Sequence, residues 1–115
     1  IPPVFKKIQA QVLGSKYDLS VVFLVDRDMR AAMKFRYKTI SGRKTSNVLS
    51  FPLSDNAGEI FIDTAIARKE AKKIGLSIKN FIGLLFIHGL LHLKGYSHSS
   101  TMEHMEQTLR SKFGV

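Results

Sequence analysis

Between Ser77 and Leu93 the chain is apolar almost all round, with Phe81, Ile82, Leu84, Leu85, Phe86, Ile87, Leu90, Leu91 and Leu93 leaving no polar face. A helix of this kind in a soluble domain is buried, and the other elements must pack around it. The same stretch carries His88 and His92. Burying a polar group without a partner costs about 2–7 kcal/mol, so both imidazoles need partners. Their i, i+4 spacing stacks them on one face of the helix. His98 follows six residues later, with Gly95 between. Gly95 can take the left-handed conformation that ends a helix, which lets the chain fold back and bring His98 towards the pair.

Three converging imidazoles with a fourth position open form the layout of a catalytic zinc site. Closed structural sites need four ligands, usually thiolates, and this chain has no cysteine. One zinc ion per chain is therefore expected on His88, His92 and His98. Their spacing, H-x-x-x-H-x-x-G-x-x-H, is that of the long zinc-protease signature, but Gly89 stands where that signature has its glutamate base. The metal frame is kept and the protease base is gone, which argues against a peptidase. A metal held this way can lower the pKa of bound water to about 7 and polarise a phosphoryl oxygen. The fourth histidine, His104, falls on a polar helix face and is expected to be solvated.

The 115 residues are 44% hydrophobic, enough for one domain, 1–115, with a real core. Eighteen Lys and Arg against nine Asp and Glu give a net charge of +9, which points to a polyanion partner. The segment from Arg30 to Lys44 holds six basic residues and no acidic one, with Phe35 and Tyr37 interleaved. That mixture suits a phosphate backbone and stacked bases. The absence of cysteine fits a reducing compartment. No apolar run reaches the length of a bilayer span, so no membrane partner is expected. Ile1-Pro2-Pro3 is unlike a signal peptide and lacks an initiator Met, so the numbering is expected to start inside a longer chain or after processing.

In order, Pro2-Pro3 opens a helix through Leu13, and Leu19 to Val25 reads as a buried strand. Asp28 to Tyr37 reads as a second helix and Thr39 to Thr45 as a basic loop. Asn47 to Leu53 is a strand that Pro52 places at an edge or an end. A turn at Asp55–Gly58 makes an antiparallel hairpin with Glu59–Ile62. A helix capped by Asp63 or Thr64 runs to Ile74, with its basic residues (Arg68, Lys69, Lys72, Lys73) on a solvated face. The long helix follows, and then a last helix in which Ser100 and Glu103 have capping-box spacing. The expected fold class is α+β: a small mixed β-sheet packed with helices, and a zincin-like long helix carrying the metal ligands.

His88-Gly-Leu-Leu-His92-Leu-Lys-Gly-Tyr-Ser-His98, with Asn47-Val-Leu-Ser-Phe-Pro52 and Gly58-Glu59-Ile60 upstream, resembles the YbeY family of rRNA maturation factors. The resemblance implies a metal-dependent, single-strand-specific endoribonuclease, zinc being the usual metal. It also implies maturation of the 3′ end of small-subunit rRNA, ribosome quality control, association with the ribosome and a cytoplasmic location, with no small-molecule cofactor. The three metal histidines of the family carry over to His88, His92 and His98. The family reads Tyr-Asp-His where this chain has Tyr96-Ser97-His98, which puts a role for that carboxylate in doubt. A family arginine ahead of the second motif has Arg36, Lys38, Arg43 and Lys44 as its candidates here, and these four are the expected RNA-binding residues. Ser50 and Phe51 are either cleft-lining residues or ordinary strand packing. The alternative to an enzyme is a ribosome- or RNA-binding assembly factor whose metal is mainly structural.

Overall fold

The computed structural model describes residues 2–25, 28, 31 and 47–115. Their order is α1 (Pro3–Leu13), β1 (Asp18–Leu24), β2 (Val48–Ser54), β3 (Ala57–Asp63), α2 (Thr64–Ile74), α3 (Ile78–Lys94) and α4 (Ser100–Phe113). The helix expected over Asp28–Tyr37 lies mostly outside the described residues, with positions 28 and 31 helical. The α+β class and the mixed sheet match the sequence reading. The strand order is β1-β3-β2, with β1 parallel and β2 antiparallel to β3.

β3 is central because its sequence lets it be. Ile60 and Ile62 are fully buried on one face, and the strand pairs on both sides. β2 is an edge strand among the described residues, as Pro52 predicts, since proline cannot donate to a ladder. A bulge follows immediately: Pro52 pairs with Gly58 and Ser54 with Ala57, which leaves Leu53 extra and exposed. The turn itself is the two residues Asp55 and Asn56, so β3 starts at Ala57, two residues earlier than the sequence suggests.

The expectation of a buried first strand is corrected. β1 alternates between exposed and half-buried, and Phe23 is 41% exposed. Its β-branched run does form a strand, but β1 pairs only with β3 among the described residues and is an edge. Apolar composition reports strand propensity here, not depth.

α3 is the axis of the molecule. Phe81, Leu85, Phe86, Ile87, Leu90 and Leu91 are all buried. α1 packs on it through Phe5, whose ring stacks on Phe86 with centroids 4.4 Å apart. The sheet covers another side. Gly89 lies so close to β2 and β3 that a Cβ there would sit 3.1 Å from both Ile60 Cδ1 and Ser50 Oγ. The Ser50 hydroxyl donates to the Gly89 carbonyl at 3.0 Å, tying strand to helix at that point. Gly58 of β3 is similarly crowded by Leu93 and the Tyr17 hydroxyl. The C-terminal Val115 packs over Gly83.

The helix ends are capped as the sequence allows. Asp63 Oδ1 accepts from the Ile66 amide at 3.0 Å, and Ser77 Oγ from Asn80 at 3.1 Å. At α4 the cap is one residue earlier than the expected Ser100–Glu103 box: Ser99 Oγ accepts from the Met102 amide at 3.2 Å. Ser99 has the extended backbone that an N-cap requires, whereas Ser100 is already helical. Among the described residues no single helix is long and apolar enough to cross a membrane.

Leu90 is completely buried in the main core. Leu90→Ala is expected to destabilise the fold by about 2–5 kcal/mol, the usual range for a buried leucine truncated to alanine. Denaturant unfolding of the two proteins checks this; a loss below about 1 kcal/mol would contradict the placement of α3 at the centre.

Candidate metal centre

His88 and His92 sit one turn apart near the C-terminal end of α3, and both rings are half-buried. The helix stops at Gly95, which has φ 113° and ψ 2°. The Gly95 amide bonds to the His92 carbonyl, and the Tyr96 amide to the Leu91 carbonyl, both at 3.0 Å. This is a Schellman closure, in which the left-handed residue turns the chain back across the last helical turn. Tyr96 packs on the core as part of it. Two residues later the returning chain delivers His98, more exposed than the other two.

The three imidazoles meet. Ring centroids are 4.5 Å apart for His88–His92, 5.0 Å for His88–His98 and 4.7 Å for His92–His98. One nitrogen from each lies within 4.8 Å of those of the other two, a group that can hold a metal ion. His104, expected to be solvated, is exposed on α4.

The hydrogen bonds show which nitrogens face the shared point. His92 Nδ1 lies 2.9 Å from the Tyr96 carbonyl. A carbonyl only accepts, so Nδ1 carries the proton and Nε2 keeps its lone pair. His88 Nδ1 meets Oε1 of Glu106, from α4, so it is Nε2 of His88 that faces the shared point. The two Nε2 atoms face each other at 3.0 Å. That is hydrogen-bond distance, and a proton on one ring or a metal cation between the two can fill it. The donor set, three imidazole nitrogens with the other nitrogens of His88 and His92 engaged outward, fits zinc.

Burial lowers the pKa of His92 below its usual 6.5, and positive charge on His88 and His98 pushes the same way. The bond to the Tyr96 carbonyl and the Glu106 charge oppose that shift. A cavity of about 120 Å³ opens beside the rings, lined by His88, His98, Ser99, Met102, Glu103 and Glu106.

Gly89 faces the sheet, away from the rings. A glutamate there would drive its Cβ into Ile60 and Ser50, so the space for a protease-type base at this position is filled by β2 and β3. The motif Asn47–Pro52 is largely a packing device. Asn47 Nδ2 donates to Glu70 Oε1 at 3.1 Å, and Ser50 holds Gly89. Phe51 lies with Leu49, Leu24 and Phe61 in a second apolar cluster, so ordinary strand packing is the better description of Phe51. Arg36, Lys38, Arg43 and Lys44 lie outside the described residues.

Sequence reasoning missed Glu106 and the Tyr96 carbonyl. The first left a trace: Glu106 interrupts the inward stripe of α4, between buried Met102 and Leu109 at helical spacing. A carboxylate in an apolar stripe needs a partner, and His88 supplies it. The second left none, because a main-chain carbonyl has no residue type.

A core helix and its closing turn thus hold three imidazoles over a mixed sheet, an α+β protein with a group able to take a metal ion. Comparison with known proteins places it further. The family described as Endoribonuclease YbeY matches residues 3–113. The chain is 34% identical over 103 residues to the endoribonuclease YbeY of Campylobacter jejuni strain 81-176, covering 85% of this chain and 74% of the relative. It is 40% identical over 101 residues to that of Nitratiruptor (82% and 69% covered) and 36% over 119 residues to that of Campylobacter fetus (90% and 85%). The solution structure of TM1509 from Thermotoga maritima shares the fold, with a TM-score of 0.67 at 21% identity, covering 96% of this chain and 76% of that one. The chain belongs to the endoribonuclease YbeY family.

Gly95→Ala forces a side chain into the left-handed region and is expected to cost about 1–2 kcal/mol in denaturant unfolding; a neutral effect would contradict the closure seen at φ 113°. The lowered pKa of His92 sets a pH dependence for the metal-free protein. The folded state binds that proton less readily than the unfolded state. Its contribution to stability is therefore intact above pH 6.5 and lost as pH falls from there through the lower folded value. Unfolding midpoints from pH 7.5 down to 5 should decline more steeply for the wild type than for His92→Gln; equal slopes would contradict the shift.

Proposed function

We propose that this protein is a zinc-dependent endoribonuclease acting on single-stranded RNA. The observation that carries the reading is the convergence of the His88, His92 and His98 nitrogens within 4.8 Å, in a chain of the endoribonuclease YbeY family. The three imidazoles hold the ion. Zinc in that place supplies Lewis-acid polarisation of a phosphoryl oxygen and a source of hydroxide near neutral pH.

The chain's own residues shape the rest. The Tyr96 carbonyl keeps the His92 ring in the Nδ1–H form, and the Gly95 turn sets His98 against it. Gly89 supplies no peptidase base, and a side chain there would press on Ile60 and Ser50. The net charge of +9 favours a polyanion, and Arg36, Lys38, Arg43 and Lys44 are assigned to the RNA backbone. The substrate we assign is the 3′ end of small-subunit rRNA, on or near the ribosome in the cytoplasm, with a further role in ribosome quality control.

The test pairs metal content with cleavage. Protein purified without chelator or histidine tag is expected to hold about one zinc per chain. His92→Ala should lose it, and cleavage of single-stranded RNA should fall by about 10² or more, the scale of losing an electrostatic stabiliser of a transition state. A variant that keeps stoichiometric zinc would refute the ligand set. Zinc removal that lowers stability but leaves cleavage untouched would make the metal structural and the protein an assembly factor.

A further inference from the structure

Glu106 stands out because α4 has every reason to place an apolar side chain there. Its neighbours along the inward stripe, Met102 and Leu109, are 1% and 2% exposed. Glu106 itself keeps only 18% of its side-chain surface, and its carboxylate meets His88 Nδ1. Withdrawing a carboxylate that far from water is costly without a partner, and the imidazole N–H is that partner. The bond spans two helices and eighteen residues of chain, so only the packing of α4 on α3 creates it.

The three rings are held unequally. His92 is oriented by a neutral carbonyl and His98 is an exposed ring delivered by a turn. His88 alone among them is oriented by an anionic group among the described residues. A carboxylate accepting Nδ1–H has two effects on the far side of the ring. It forbids the tautomer that would protonate Nε2, and it raises electron density at the Nε2 lone pair. Both act on the nitrogen that faces His92 Nε2 at 3.0 Å.

We propose that Glu106 is a positioning residue of the metal centre, fixing His88 as the Nδ1–H tautomer and strengthening it as a ligand. The inference rests on the zinc reading above and adds a residue to it. Glu106 acts through His88 and takes no part in holding the ion itself.

Three substitutions and two readouts test it. Glu106→Gln keeps an oxygen able to accept the N–H but removes the charge, and Glu106→Ala removes both. Zinc affinity, measured by competition with a chromophoric chelator, should fall in both variants, more in Glu106→Ala, within the roughly 10–100-fold range typical of outer-shell partners. Glu103→Gln makes the same charge change on the same helix and separates a general field from a specific bond. An equal loss in Glu103→Gln and Glu106→Gln overturns the proposal, as does a Glu106→Gln affinity within about twofold of wild type.

The second readout is the ring nitrogen spectrum of His88 in metal-free protein at pH 8. The wild type should show a protonated Nδ1 and a bare Nε2, and Glu106→Ala a mixture of tautomers. An unchanged spectrum would show that the carboxylate does not set the tautomer. Wild-type protein that binds no zinc sinks the metal reading and this inference with it. Wild-type protein that binds zinc, beside a Glu106→Gln variant that binds equally well, sinks this inference alone.

Discussion

Two imidazoles on an otherwise apolar core helix set the terms for the rest of the structure. Most of α3 must be buried, because ten of its seventeen side chains are large and apolar and they run round the helix. His88 and His92 are carried inward with it. The penalty for dry, unpaired ring nitrogens is several times the net worth of an ordinary hydrogen bond, so the fold has to supply partners. It supplies one from each direction. The chain beyond α3 turns back and offers the Tyr96 carbonyl, and α4 packs down and offers Glu106. Each of these two rings then has its Nδ1 tied outward and its Nε2 turned to the other ring. The Nε2 atoms of the two rings face each other at 3.0 Å.

The glycines explain how the sheet is brought to the same helix without interfering. Gly89 follows His88 directly, but a step of about 100° along a helix turns it from the rings to the strands. There Ile60 and Ser50 press to within 3.1 Å of where a Cβ would be. The approach is stabilised by the Ser50 hydroxyl on the Gly89 carbonyl. The motif on β2 and the histidine motif on α3 therefore meet physically at one contact. A protein that kept a glutamate at this position would have to hold its sheet further away. Spacing of histidines alone does not tell a metalloprotease from this arrangement; the residue between them does, through how closely β-structure can approach.

Much of this was legible in the residues. The burial of α3, the pairing of His88 with His92 and the turn at Gly95 follow from hydrophobic periodicity and from glycine's access to positive φ. The edge position of β2 follows from Pro52. What the residues do not encode is depth and distance. β1 has the composition of a buried strand and lies at an edge, because its place in the sheet depends on pairing partners far along the chain. The cap of α4 fell on Ser99 rather than Ser100, since two adjacent serines satisfy the same rule and only backbone conformation chooses between them. Glu106 was hidden for a third reason: its role requires knowing that α4 lies against α3, and no local pattern states that.

The same geometry couples the site to the stability of the fold. The His88, His92 and His98 nitrogens come from a helix and from the turn that closes it, and the Glu106 contact adds a second helix. The His88 and His92 Nε2 atoms are held 3.0 Å apart by the packing of α3, the Gly95 closure and α4. A cation seated among the three rings would take one nitrogen from each. Such an ion would bind the folded chain and find no assembled site in the unfolded one, so its binding free energy would add to folding by mass action. Loosening the turn and weakening the site are then the same event seen from two sides. A core helix that carries half-buried polar rings would then be stabilised by whatever ion occupies them.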